Sequence, residues 1–193
     1  NGFGRSISLA GNTLVVGAPL ANAVYVFERS GNNEWIETAI LKNGDEGLGT
    51  KLATDGNHIL ATAIEGRNGN PSVYTWKKTG NTWVAGAKLV TESGEGRTGW
   101  GNAISLSGGF AAVGSPFVNG NTGMVEVFKF ANGLWNSQGA LEYSAPQEGD
   151  AFGSSVLLAG EHMVVGMPGH DVRKGAATIY VRDAESEKYN YDL

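Results

Sequence analysis

The chain has 193 residues, 41% of them hydrophobic and 17% charged, which fits one globular domain with a sizeable core and argues against a disordered chain. Its formal net charge of -5 and the lack of any Lys/Arg cluster exclude nucleic acid as a partner, because phosphate binding needs a concentrated basic face. There is no cysteine, so disulfides, thiolate metal sites and cysteine nucleophiles are excluded together, and no apolar run approaches the roughly 18 residues of a membrane helix.

Taken in order, the chain writes one sentence four times. The first copy opens at Phe3-Gly4, continues through Ser6 to Ala10, turns at Gly11-Asn12 and runs from Thr13 to Gly17-Ala18-Pro19. The second opens at Leu48-Gly49 and reaches Ala61-Thr62-Ala63; the third opens at Trp100-Gly101 and reaches Gly114-Ser115-Pro116; the fourth opens at Phe152-Gly153 and reaches Gly166-Met167-Pro168. The openings at 3, 48, 100 and 152 are spaced by 45, 52 and 52 residues, a period that marks a repeat architecture. Thirty glycines recur at repeat positions, where they punctuate turns.

Each copy carries four apolar runs rich in Val, Ile, Tyr, Phe and Trp between Gly/Asn turns, which predicts four strands and no helix. In the first copy these are 6–10, 13–17, 23–27 and 35–41. The third run, Val24-Tyr25-Val26-Phe27, is matched to Val73-Tyr74-Thr75-Trp76, Val125-Glu126-Val127-Phe128 and Ile179-Tyr180-Val181-Arg182. Trp35 at the start of the fourth run is matched by Trp83, Trp135 and Tyr189. Gly11-Asn12, Gly56-Asn57, Gly108-Gly109 and Gly160-Glu161 supply the positive φ of tight hairpins between the first and second strands. Four-stranded antiparallel units repeated radially describe an all-β propeller of four blades, approximately 1–47, 48–99, 100–151 and 152–193.

Phe-Gly, Ser-Leu-Ala-Gly-Asn, Val-Val-Gly-Ala-Pro, Val-Tyr-Val-Phe and Trp, in that order, resemble the FG-GAP repeat, the β-propeller repeat of integrin α subunits and of many secreted microbial and algal proteins. The resemblance covers essentially the whole chain. Its motif positions here are Phe3, Gly4, Gly17, Pro19, Trp35, Trp83, Trp100, Gly101, Gly114, Pro116, Trp135, Phe152, Gly153, Gly166 and Pro168; the second copy is degenerate. Propellers of that family usually have seven blades and this chain holds four, so the reading expects the four to close on themselves. The start at Asn1-Gly2, inside what reads as an inter-repeat linker, leads it to expect a processed product or a segment of something longer. The resemblance implies an extracellular, cell-surface location.

The integrin-type Asp-x-Asp-x-Asp-Gly calcium loop is missing. Asp45, Glu46, Glu148 and Asp150, with Glu92 and Glu95, are the only acidic linker residues that offer weak Ca²⁺ candidates, and solvated linker charge is the preferred reading, with no cofactor expected. His58 and His162 share a repeat position after the first hairpin turn and read as surface decoration. His170, Asp171, Arg173 and Lys174 form a polar loop, a candidate ligand patch weighed against an ordinary solvated loop. No nucleophile elbow, zinc-protease motif or phosphate loop is present, and the chain reads as a non-enzyme. Trp35, Trp83 and Trp135 are weighed as sugar-stacking platforms against inter-blade packing, which is preferred; Trp76 and Trp100 read as structural. The one Asn-x-Ser/Thr match, Asn70-Pro71-Ser72, is disqualified by its proline, so any glycan is O-linked.

Two functions compete. In the first, the chain is a structural or adhesion module whose partner is itself, in tandem or in a surface fibre. In the second, it is a lectin-like or protein-binding propeller whose ligand loops are Glu65–Asn70, Phe117–Thr122 and His170–Lys174.

Overall fold

The computed structural model describes residues 1–65, 70–91 and 99–191. The fold is all-β: four four-stranded antiparallel sheets, each a simple meander in chain order. The first sheet comprises β1 (Ile7–Ala10), β2 (Thr13–Ala18), β3 (Ala23–Arg29) and β4 (Trp35–Leu41). The second comprises β5 (Leu52–Thr54), β6 (His58–Glu65), β7 (Asn70–Thr79) and β8 (Thr82–Ala85). In the third are β9 (Ala103–Ser107), β10 (Phe110–Ser115), β11 (Met124–Ala131) and β12 (Leu134–Leu141). The fourth holds β13 (Ser155–Ala159), β14 (His162–Met167), β15 (Ala176–Arg182) and β16 (Tyr189–Tyr191). The helical content among the described residues is a 3-10 turn at Pro19–Ala21 and one turn, α1, at His170–Arg173. No helix among them is long and apolar enough to cross a membrane.

The chain divides into two compact units, Asn1–Val90 and Thr91–Leu193, each with its own core. In the first unit the core lies between the first and second sheets: Val15, Val24, Val26 and Leu41 from one side meet Leu48, Leu52, Ile59, Ala61 and Trp76 from the other. In the second, Phe110, Ala112, Val125 and Val127 of the third sheet meet Phe152, Leu158, Met163, Val165 and Tyr180 of the fourth. The second strands β2 and β10 are covered on both faces, β10 along its whole length, whereas alternate residues of β14 are only partly covered or exposed.

Both units are built around the same joint. The Leu48-Gly49 and Phe152-Gly153 turns wedge into the preceding sheet, and Leu48 and Phe152 are fully buried. Gly49 (φ 92°) and Gly153 (φ 87°) occupy the left-handed region, which a side chain would strain. Opposite them stand Gly17 and Gly114, ordinary in φ but without room: a Cβ on either would overlap the carbonyl oxygen of Gly49 or Gly153. Ser6 Oγ donates to that Gly49 carbonyl at 2.6 Å. Further along, the Thr54 backbone N–H donates to Ser8 Oγ at 3.1 Å, and at the equivalent place Leu158 N–H donates to Ser105 Oγ at 2.8 Å. The glycines at both ends of the repeated motif therefore exist to let one sheet's entry turn touch the next sheet's backbone.

One expected alignment is corrected by the strand register. Gly17 pairs with Val24, whereas Gly166 pairs with Ala177, so the fourth counterpart of Val24–Phe27 is Ala177–Tyr180 and not Ile179–Arg182. The corrected frame puts Phe27, Trp76, Phe128 and Tyr180 at one position, one aromatic per sheet. In the same frame Trp35, Trp83, Trp135 and Tyr189 do share a position, paired with Arg29, Lys78, Phe130 and Arg182.

Candidate functional site

The linker before the fourth sheet meets the loop between β14 and β15 through two of the polar residues named above, Asp150 and His170. Asp150 is buried; its Oδ2 accepts from the Gln147 N–H at 2.8 Å, and its Oδ1 lies 3.2 Å from His170 Nδ1. The His170 ring stands edge-on to Tyr143 with centroids 5.3 Å apart. The Gly169 N–H donates to the Asp150 carbonyl oxygen at 3.1 Å. From there α1 follows an unusual path: Asp171, Val172 and Arg173 all have positive φ (47°, 55° and 68°). For a β-branched residue such as Val172, 93% exposed, that conformation is a strained one. Asp171 is also paired with Lys174 Nζ at 2.8 Å, on the surface. Of the four loop residues singled out, His170 alone is drawn inward, while Asp171, Arg173 and Lys174 face solvent.

The acidic linker residues do not converge. Asp45 accepts a hydrogen bond from the Tyr74 hydroxyl and lies near Asn43 Nδ2, while Asp150 is engaged by Gln147 and His170. Glu46 and Glu148 are exposed. Among the described residues no group of three or more His, Cys, Asp or Glu is placed to hold a metal ion. Glu92 and Glu95 lie outside the described residues, as does most of the Glu65–Asn70 loop. In the Phe117–Thr122 loop the Asn121 and Thr122 carbonyls accept from the Ala151 and Phe152 N–H groups at 2.8 and 2.9 Å, while Phe117, Asn119 and Asn121 are exposed.

His58 departs from the expected surface decoration. It is 8% exposed, and its backbone N–H donates to Asp55 Oδ1 at 2.7 Å while its Nδ1 lies 3.3 Å from Oδ2. Burial pushes the Asp55 carboxyl up, but the His58 ring and the N–H groups of Asn57 and His58 outweigh it and hold the group below its ordinary value. This is a turn clasp. His162, at the same register in the fourth sheet, has no such carboxylate and stays exposed.

The tryptophans divide by depth. Trp76 and Trp100 are buried, and Trp100 stands edge-on to Phe128 at 6.0 Å. Trp83 packs partly buried against the first core with Lys78 Nζ 5.8 Å above its ring; Trp135 packs edge-on to Phe130; Trp35 is the most exposed of the five.

Two features went unflagged in the sequence. A cavity of about 320 Å³ opens between β12 and β16, lined by Gln138, Gly139 and Leu141 on one side and Lys188, Tyr189 and Asn190 on the other. Its amides and ammonium can recognise hydroxyl-rich or anionic groups. Glu126, buried at the centre of β11, accepts from Ser137 Oγ at 3.2 Å; a lone carboxylate inside the run Met124-Val125-Glu126-Val127-Phe128 was the available signal. No family model and no curated protein matches this chain.

Proposed function

We propose that the chain is a non-enzymatic extracellular structural or adhesion module, a four-bladed propeller of the FG-GAP type that works in tandem or assembled into a surface fibre. The observation that carries this reading is the repeated joint: Gly17 against Gly49 and Gly114 against Gly153 dock successive sheets in one way, backbone against backbone. A joint that depends on backbone contact and apolar burial suits rigidity. The acidic linkers serve the same end, since Asp45 and Asp150 tie loops down instead of presenting their charge.

A second reading, a lectin-like module, is favoured by the cavity between β12 and β16, where Gln138, Lys188 and Asn190 ring an apolar floor of Val127 and Leu141. One experiment separates the two. The purified chain is screened on a glycan array while its mass is followed by light scattering across concentration. Mass that grows with concentration and ignores sugar supports the structural module. Saturable glycan binding by a constant monomer, abolished by Gln138→Ala with Asn190→Ala, overturns it.

A further inference from the structure

Each unit has a seam between the outer strands of its two sheets, and the two seams are in register but differ in chemistry. The bulge between Val26 and Phe27 recurs between Val127 and Phe128, so Gln138 and Gly139 of β12 stand where β4 has Thr38 and Ala39. Across the seam, Lys188, Tyr189 and Asn190 stand where β8 has Thr82, Trp83 and Val84. In the first unit Ala39 and Trp83 pack against the core. In the second, a methyl is missing at Gly139 and tyrosine replaces the larger tryptophan, and the cavity of about 320 Å³ lies there. Packing alone gives no reason for an ammonium and an amide where the first unit has Thr82 and Val84. Several of these polar groups are uncommitted. Lys188 is the one charged residue of the lining, and among the described residues its Nζ has no carboxylate partner, although Asp183, Glu185 and Glu187 precede it. Asp183 accepts from the Glu185 and Ser186 N–H groups, and Glu187 is paired with Lys129. Gln138 donates its amide N–H groups to the Asn136 and Ser137 carbonyls at 3.3 and 3.2 Å, which leaves Oε1 as an acceptor. Tyr189, 6% exposed, buries a hydroxyl that makes no hydrogen bond of ordinary geometry.

We propose that this cavity binds a small carboxylate-bearing polyol, the chemistry of a sugar acid, either free or as the end residue of a polysaccharide. The inference rests on the lectin-like reading of the cavity and names its ligand class. The site lies wholly within the second unit. Lys188 Nζ takes the carboxylate: in a chain of net charge -5, an ammonium in a lining without carboxylates selects an anion. Gln138 Oε1 accepts from ligand hydroxyls, and the Asn190 amide both donates and accepts. Val127 and Leu141 give the C–H face of the ligand an apolar floor. The volume is at the lower end of the roughly 300–1,000 Å³ of ligand pockets, which suits a small ligand.

The test is an NMR titration of the isotope-labelled chain with D-glucuronate, D-glucose and acetate, read at the side-chain amides of Gln138 and Asn190. Glucuronate should shift both amides saturably, with a Kd at least about tenfold below those of glucose and acetate. Lys188→Gln, a change at an exposed side chain, should weaken glucuronate by about tenfold and leave glucose unchanged. Gln138→Thr with Asn190→Val copies residues the first unit carries at the same register, so the fold is kept, and glucuronate binding should be lost. A glucuronate-ended disaccharide that binds more tightly than the free acid identifies a polysaccharide end as the source; weaker binding identifies the free acid. Glucose binding as tightly as glucuronate, or glucuronate binding indifferent to Lys188→Gln, overturns the proposal. A neutral glycan that shifts these amides while glucuronate does not overturns the anionic class and leaves the lectin-like reading standing. If no sugar of either kind shifts them, both fall.

Discussion

Replacing Gly17 by alanine isolates the joint between the first and second sheets. Two opposing effects set the magnitude. Gly17 has an ordinary φ, so alanine is conformationally acceptable there and narrows the unfolded ensemble, which stabilises by roughly 0.4–1 kcal/mol. Against this, the new methyl overlaps the Gly49 carbonyl oxygen, with the carbonyl carbon at 2.9 Å. The Gly49 backbone cannot yield freely, because its N–H donates to the Thr62 carbonyl at 3.0 Å and its own carbonyl is held by Ser6 Oγ at 2.6 Å. Overpacking of this kind costs about 1–3 kcal/mol, and losing the Ser6 hydrogen bond adds about 1 kcal/mol. The net destabilisation is about 1–3 kcal/mol, confined to the unit 1–90, whose melting midpoint should fall on the order of 10 °C. Urea and thermal unfolding, followed by residue-resolved hydrogen exchange, read the two units apart. Gly166→Ala is the internal control: its methyl meets first the Ser155 Oγ at 2.3 Å, a side-chain atom that rotates away, so it should cost less than about 1 kcal/mol. Equal losses in the two variants, or a neutral Gly17→Ala, would refute the reasoning.

Other consequences follow from the same structure. Asp55, held below the ordinary carboxylate value, contributes stability that is fully present above about pH 4 and lost as pH falls through its folded-state value, so Asp55→Asn should flatten the acid limb of the first unit's stability curve. Burial raises the hydroxyl pKa of Tyr180 and, against an opposing contribution from Arg182, that of Tyr189. Their contribution is present below about pH 10 and lost as pH rises through the folded-state values, and Tyr180→Phe should reduce alkaline unfolding of the second unit, read by circular dichroism. Asp150→Asn leaves the Gln147 N–H and the His170 ring with a poorer partner and should cost about 1–3 kcal/mol, with faster hydrogen exchange at Gln147 as its local signature. The Glu28–Lys78 pair, at 2.8 Å but partly exposed, should contribute less than about 1 kcal/mol and fade in high salt, checked by a double-mutant cycle.

Much of the fold was legible because its signals are local. Apolar runs of strand length, separated by Gly-Asn and Gly-Gly pairs, mark hairpins wherever they occur, and all four meanders lie where those pairs put them. The fourth repeat was read two residues out of register because Ala177-Thr178-Ile179-Tyr180-Val181 is apolar enough to accept either frame. Only the pairing of Gly166 with Ala177 decides between them. His58 was misjudged for a different reason: the clasp comes from Asp55, a residue that the other three turns lack, so comparing repeats hid it. The depth of Phe3 was not legible at all. Phe3 and Phe152 are the same residue in the same motif, yet one is 56% exposed and the other fully buried, because local sequence does not say which sheet packs on a turn.

Negative-stain microscopy of the native material, with intact mass on the same sample, tests the central claim most directly. A structural module predicts regular fibres whose axial repeat is the size of one four-sheet chain, or a mass several times 20.2 kDa. Single compact particles of one-chain mass, at every concentration, would contradict it.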